Sequence, residues 1–206
     1  MEKVCFTPWI GESCLENGYL GKRILILGES HYCDEDCDLC GARKCDITEN
    51  VTKRFLDYKK GKREFESWMT TYTKFTNVFL GEKVNNQTLI GFWNSIMFYN
   101  YVQLATSGPR ISPSSEAFSN SKEAFFEVLE EYQPDLIIVW GERLWKYLPN
   151  NGIYEEENIL DGKFGKLYNY TISNKKIPAF RIYHPSSSYF SYESTKYLKE
   201  VINTIK

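Results

Sequence analysis

Four stretches of the chain are apolar, short and unbroken: RILILGES (23–30), IMFYNYVQ (96–103), DLIIVWG (135–141) and IPAFRIYHPSS (177–187). Each ends at a glycine, an asparagine or a His-Pro pair. Continuous apolar runs suit strands covered on both faces, whereas strands with one wet face alternate. Helical patterns lie between them. Residues 51–81 carry apolar side chains at loosely helical spacing, with Gly61 as a break and Gly81 as a stop. Residues 89–96 fit either a helix or a strand. Residues 120–135 predict a helix: Asn120 can cap it, Glu123 completes a capping box, and Phe125, Val128, Leu129 and Tyr132 share a face before Pro134. Residues 142–148 predict a turn or two of helix, and 191–206 an amphipathic terminal helix.

Strands alternating with helices predict an α/β fold. The expected architecture is one three-layer domain over residues 1–206, a central four-stranded, mostly parallel sheet with helices on both faces. Such sheets bind ligands beyond the carboxyl ends of their strands. That rule selects 28–33, the surroundings of Asn100, 140–142 and 184–190. The chain has two histidines, His31 and His184, and each falls on one of these stretches. The plainer alternative is a surface or packed imidazole at both positions.

Composition narrows the partners. The 206 residues are 42% hydrophobic and 25% charged, as in ordinary globular proteins. Aromatics reach 16%, enough for stacking surfaces as well as for a core. The formal net charge of −2 gives no global attraction to nucleic acid, which favours a basic footprint. The first residues, MEKVCFTPWIGES, lack the charged head and apolar run of a secretory leader. No apolar run approaches the roughly 18 residues a bilayer requires. A cytoplasmic location without a membrane partner is expected, and the six cysteines are then expected as thiols or metal ligands. No protein partner can be inferred.

Three separated pieces resemble the uracil-DNA glycosylase superfamily. LGESHY (27–32) is similar to its first motif, a Gly-rich turn after the first strand; IMFYNYVQ stands where the family has an apolar run ending in a base-reading asparagine. YHPSSSYF (183–190) is similar to the second motif, His-Pro-Ser followed by a loop that wedges into DNA. LIIVWGERLWKYL (136–148) also resembles the strand and turn before that motif, and the order of the pieces matches over about residues 23–190. The resemblance implies a uracil-DNA glycosylase-like fold and a DNA-repair activity that hydrolyses the N-glycosidic bond of uracil or a related damaged base flipped out of DNA, single strands included.

Roles follow from chemistry. His184 would donate to the pyrimidine oxygen that gains negative charge. The Asn100 amide, both donor and acceptor, would tell uracil from cytosine. Tyr32, or more loosely Phe55, would stack on the base, beside Gly28 and Ser30. Backbone amides near Gly28 and Ser186, with the hydroxyls of Ser186 and Ser187, would hold phosphates. Tyr189 or Phe190 would fill the gap left by the base, the alternative being packing of this loop on the terminal helix. The chain departs from the family where an aspartate usually orients water: Ser30 stands there, and His31 replaces the usual proline. Glu29 resembles the Gly-Glu motif of the iron–sulfur branch, so water activation would fall to Glu29 or His31. Otherwise nothing activates water, and the fold is a non-catalytic nucleobase or DNA-binding module, or Glu29 only anchors the turn. A Ser30/His184 esterase is a third reading, weakened by Arg181 standing where a triad carboxylate would belong.

Cys33, Cys37, Cys40 and Cys45 form a C-x3-C-x2-C-x4-C cluster. Thiolates within one short loop suit structural zinc in tetrahedral coordination, with 33–45 as a metal-binding loop. An iron–sulfur cluster is the rival, although that branch starts its ligand set with a close pair upstream of the first motif, and Cys5 and Cys14 are far apart.

Overall fold

In the computed structural model, the described residues are 1–33, 44–108, 110–154 and 167–205. Among them the elements run β1 (Trp9–Ile10), β2 (Ile24–Gly28), α1 (Ile47–Lys59), α2 (Met69–Leu80), α3 (Asn86–Asn94), β3 (Met97–Asn100), α4 (Ser115–Asn120), α5 (Lys122–Tyr132), β4 (Leu136–Trp140), α6 (Glu142–Tyr147), β5 (Ile153–Tyr154), β6 (Tyr168–Ile172), β7 (Lys175–Ile182) and α7 (Ser194–Thr204).

The chain is an α/β protein with a mixed, seven-stranded sheet in the order β1-β3-β2-β4-β7-β6-β5. The expected four-stranded sheet is therefore corrected to seven. The four apolar runs form the middle, where β3, β2, β4 and β7 are mutually parallel. Antiparallel β1 extends one edge, and antiparallel β6 and β5 extend the other. The added strands are short or half-polar and lack the buried-strand signature. The β6–β7 hairpin turns through Ser173 and Asn174, both with positive φ.

Side chains alternate across the central strands. Ile24, Ile26, Phe98, Ile138, Trp140, Phe180 and Ile182 join one apolar cluster with buried residues of α1, α2, α3 and α7. Leu25, Leu27, Tyr99, Ile137, Val139 and Ala179 join the other with α4, α5 and α6. Covering both faces is what makes uninterrupted apolar strands stable. Each large aliphatic or aromatic side chain so enclosed contributes about 1.5–3 kcal/mol.

The helical region 51–81 divides as expected. α1 starts earlier, at Ile47; Gly81 caps α2 in the left-handed conformation. The ambiguous stretch 89–96 is mostly helix, because Asn85 caps α3 by accepting from the Thr88 N–H. The cap at Asn120 is corrected. That residue ends α4, and Ser121 precedes α5 with its hydroxyl donating back to the Ala117 carbonyl. Ser114 takes the capping role one helix earlier. Among the described residues no helix is long and apolar enough to cross a membrane.

Candidate functional site at the carboxyl edge of the sheet

The parallel strands end together, and their register decides what meets there. Gly28 pairs with Asn100 across β2 and β3, and Trp140 with Ile182 across β4 and β7. By alternation these four residues share the face that carries α1, α2 and α7. Gly28 is required by close approach: a Cβ there would collide with Asn100 Oδ1 and crowd Phe98. The missing side chain lets the Asn100 amide lie across the end of β2.

That amide is held from behind. Asn100, only 6% exposed, donates from Nδ2 to His31 Nε2 at 3.0 Å. The Thr48 hydroxyl meets the same nitrogen at 2.8 Å. With Nε2 accepting, the neutral ring carries its proton on Nδ1. His31 is 6% exposed, and Phe6 packs edge-on against it at 5.3 Å. Burial drives its pKa down to about 3. His31 therefore stands behind the edge as a neutral, hydrogen-bonded ring. It was expected to activate water; here its Nε2 is committed to Asn100 and Thr48 and the ring is buried, so its placement is that of a support.

His184 is arranged differently. It follows β7, and its ring meets Trp140 edge-on at 5.9 Å. Gly141, with φ +98°, takes a backbone conformation that other residues rarely adopt and turns the chain from β4 into α6 against His184. Nδ1 accepts from the Ser186 N–H at 3.2 Å and lies 2.7 Å from the Ser186 hydroxyl. A neutral ring with Nδ1 so engaged carries its proton on Nε2. The side chain reaches solvent, but the atoms crowded behind it disfavour the charged ring. Its pKa is lowered chiefly by that desolvation, with Glu29 acting upward and Arg143 and Lys74 acting downward.

Glu29, next to Gly28, forms a two-pronged pair with Arg143 of α6: Nε donates to Oε2 at 2.8 Å, and Nη2 donates to Oε1. Arg143 Nη1 also donates to the Ser112 hydroxyl. Hydrogen bonding to Glu29 holds the guanidinium charge firmly in place. Ser30 is half-buried beside this pair. Arg181, where a triad carboxylate would belong, donates instead to Glu142 at 2.8 Å.

The loop after His184 splits in its roles. Ser186 orients the ring. Ser187 donates its N–H to the His184 carbonyl, while its own carbonyl accepts from Lys74 Nζ at 2.6 Å. Tyr189 is 74% exposed and lies against Tyr183. Phe190 is 0% exposed and stacks on Phe75, so the expectation that it wedges into DNA is corrected to core packing. Tyr32 is exposed, bridges to Thr106, and acts electrostatically on Tyr72 of α2. Phe55 is fully buried in α1, which removes it as a stacking ring.

Cys37 and Cys40 lie outside the described residues. Cys33 and Cys45 stand at the ends of that segment, and both are stitched to neighbouring backbone. The Cys33 N–H donates to the Thr106 carbonyl; Cys45 donates to the Cys5 carbonyl and accepts from the Thr7 N–H. Among the described residues no group of three or more His, Cys, Asp or Glu side chains could hold a metal.

Sequence reasoning did not single out Thr48, Lys74, Trp140 or Arg143. Trp140 and Arg143 flank Gly141, on a strand end already selected, so that edge was the available signal. Thr48 comes just after the cysteine cluster and Lys74 lies within α2, and neither residue carried a signal of its own. No family model matches the chain, and no curated protein matches it.

Proposed function

We propose that the carboxyl edge binds a pyrimidine base flipped out of DNA and hydrolyses its N-glycosidic bond. One observation carries this reading: the Asn100 amide and a His184 ring with Nδ1 committed stand at the carboxyl ends of β3 and β7, with Gly28 of β2 and Trp140 and Gly141 of β4 between them. A flipped base needs an amide to read its edge and a donor at the oxygen where charge collects. Asn100 would read the base with its Oδ1 and its remaining N–H. His184 Nε2–H supplies the donor as a neutral ring and gives up no proton, so no later step must recover one. The bond from C1′ to the base nitrogen breaks with its electron pair leaving on the base. Water then adds to C1′ and loses its proton to solvent or to the base.

Glu29 is the candidate for holding that water. Its carboxylate oxygens retain lone pairs after pairing with Arg143, so it can accept from water while staying charged. His31 and Thr48 act as positioning residues for Asn100. They flank the cysteine segment, one just before it and one on the first turn of α1. A structural zinc in loop 33–45, with Cys33, Cys37, Cys40 and Cys45 as ligands, would tie those two supports together; an iron–sulfur cluster is the alternative occupant. Either group would supply rigidity, with the base chemistry left to the chain's own side chains.

The second reading, a non-catalytic base-binding module, is favoured by the pairing of both Glu29 carboxylate oxygens with Arg143. An oligonucleotide holding one uracil separates the two. Uracil release by the protein, abolished in His184→Ala, supports the enzyme. Binding by both forms with cleavage by neither supports the module. Metal analysis with a visible absorption spectrum tests the cysteine loop.

A further inference from the structure

A groove of about 540 Å³ opens beside the 188–192 loop, between the end of α1 and the outer face of α2. Thr70, Thr73, Lys74 and Asn77 line it from one helix face, as their spacing requires. Phe65 and Tyr192, both about half exposed, stand on its walls with Tyr58. Lys59 Nζ lies 5.0 Å from the centre of the Tyr58 ring. Among the described residues no carboxylate lines it, in a chain with 27 acidic and 25 basic residues. The groove is continuous with the strand edge through Lys74, which lines the groove, bonds the Ser187 carbonyl and is felt by His184.

We propose that this groove binds the stretch of single-stranded DNA flanking the nucleotide held at the strand edge, a proposal that rests on the reading of that edge as a DNA site. Exposed rings flanked by ammonium groups suit unpaired bases, whose faces are open to stacking, with phosphates beside the lysines. In a duplex those faces are already covered by neighbouring pairs, so the rings would gain nothing. Hydroxyls and the Asn77 amide complete a surface that grips a backbone without reading sequence.

The test is fluorescence anisotropy of the full chain with a labelled single-stranded DNA oligonucleotide lacking uracil, alongside uracil release from a matching substrate. Phe65→Ala combined with Tyr192→Ala should weaken binding on the order of 10- to 100-fold, since stacking on each ring is lost. Both side chains are exposed, and an unchanged circular dichroism spectrum will show that the fold survives. Lys59→Gln should lower the slope of log affinity against log salt by about 0.7.

If the parent binds that strand and the double variant does not, the groove stands even where no uracil is released. If uracil is released and the double variant binds and cuts like the parent, the groove proposal falls while the catalytic reading survives. No binding of single strands by the parent also overturns it. So does a dimer of the parent that the double variant abolishes with no change in DNA affinity, since the groove would then seat a second copy.

Discussion

The strand edge has a dry half and a wet half, and the two histidines divide between them. Around Gly28 and Asn100, His31, Thr48 and Phe6 close over a buried amide, and the ring nitrogen is spent on holding it. Around Gly141 and His184, the contacts are charged or exposed: Glu29 with Arg143, Ser186 on the ring, Lys74 on the loop. A residue type that reads identically in sequence takes opposite work from its surroundings. Burial makes His31 a fixed acceptor, while a loop after a strand end engages only Nδ1 of His184 and leaves the proton on Nε2. On the proposed reading, precision is built on the dry side and chemistry on the wet side.

The largest expected effect falls on the wet side. In the proposed reaction His184→Ala removes the donor to the departing base, and uracil release should then drop 10²- to 10³-fold, the usual loss for one such donor. Because the side chain reaches solvent, the urea midpoint should hardly move. A variant that loses stability in step with activity would place His184 among the structural supports and erase the contrast.

Next in size is Gly28→Ala on the dry side. The new methyl meets the Asn100 amide, which His31 prevents from stepping aside. Overpacking of this kind costs about 1–3 kcal/mol, readable in urea denaturation, and base binding should fall with it. An alanine accommodated without loss would show that the amide is loosely held.

Acid should separate the halves as well. The unfolded-state pKa of His31 is near 6.5, and the folded value is about 3. Below 6.5 the unfolded chain takes up a proton that the folded chain refuses, so stability declines as pH falls from about 6.5 toward 3. At pH 5 the loss from this ring is about 2 kcal/mol relative to pH 7. His184, also lowered, acts in the same direction. His31→Gln should flatten the pH dependence of the urea midpoint; an unchanged slope would mean the ring is not held neutral.

The four central strands were legible because burial on both faces leaves continuous apolar runs, and their ends selected the edge that carries the candidate site. β1, β5 and β6 were not: each is short or half-polar, and only pairing with a neighbour makes it a strand. Asn100 and His184 could be picked out because each closes an apolar run. That Phe190 turns inward to Phe75 while Tyr189 turns outward could not be read, since both are aromatic and adjacent. Arg143 was hidden for a different reason. Its partner lies 114 positions away, and only the β2–β4 register brings Glu29 and the first turn of α6 together.

That pair carries the smallest prediction and the finest test. Arg143 is half exposed and Glu29 is mostly covered. An ion pair with one wet partner contributes little to folding, so a double-mutant cycle with Arg143→Gln and Glu29→Gln should give a coupling below about 1 kcal/mol in urea denaturation. Neither single variant should unfold the protein, yet Glu29→Gln should lower uracil release far more than stability, because a neutral amide binds water without stabilising positive charge at C1′. A coupling of 3 kcal/mol or more, with release and stability falling together, would make Glu29 an anchor of the turn after β2. The wet half would then be as structural as the dry half, and the non-catalytic reading of the edge would gain the ground.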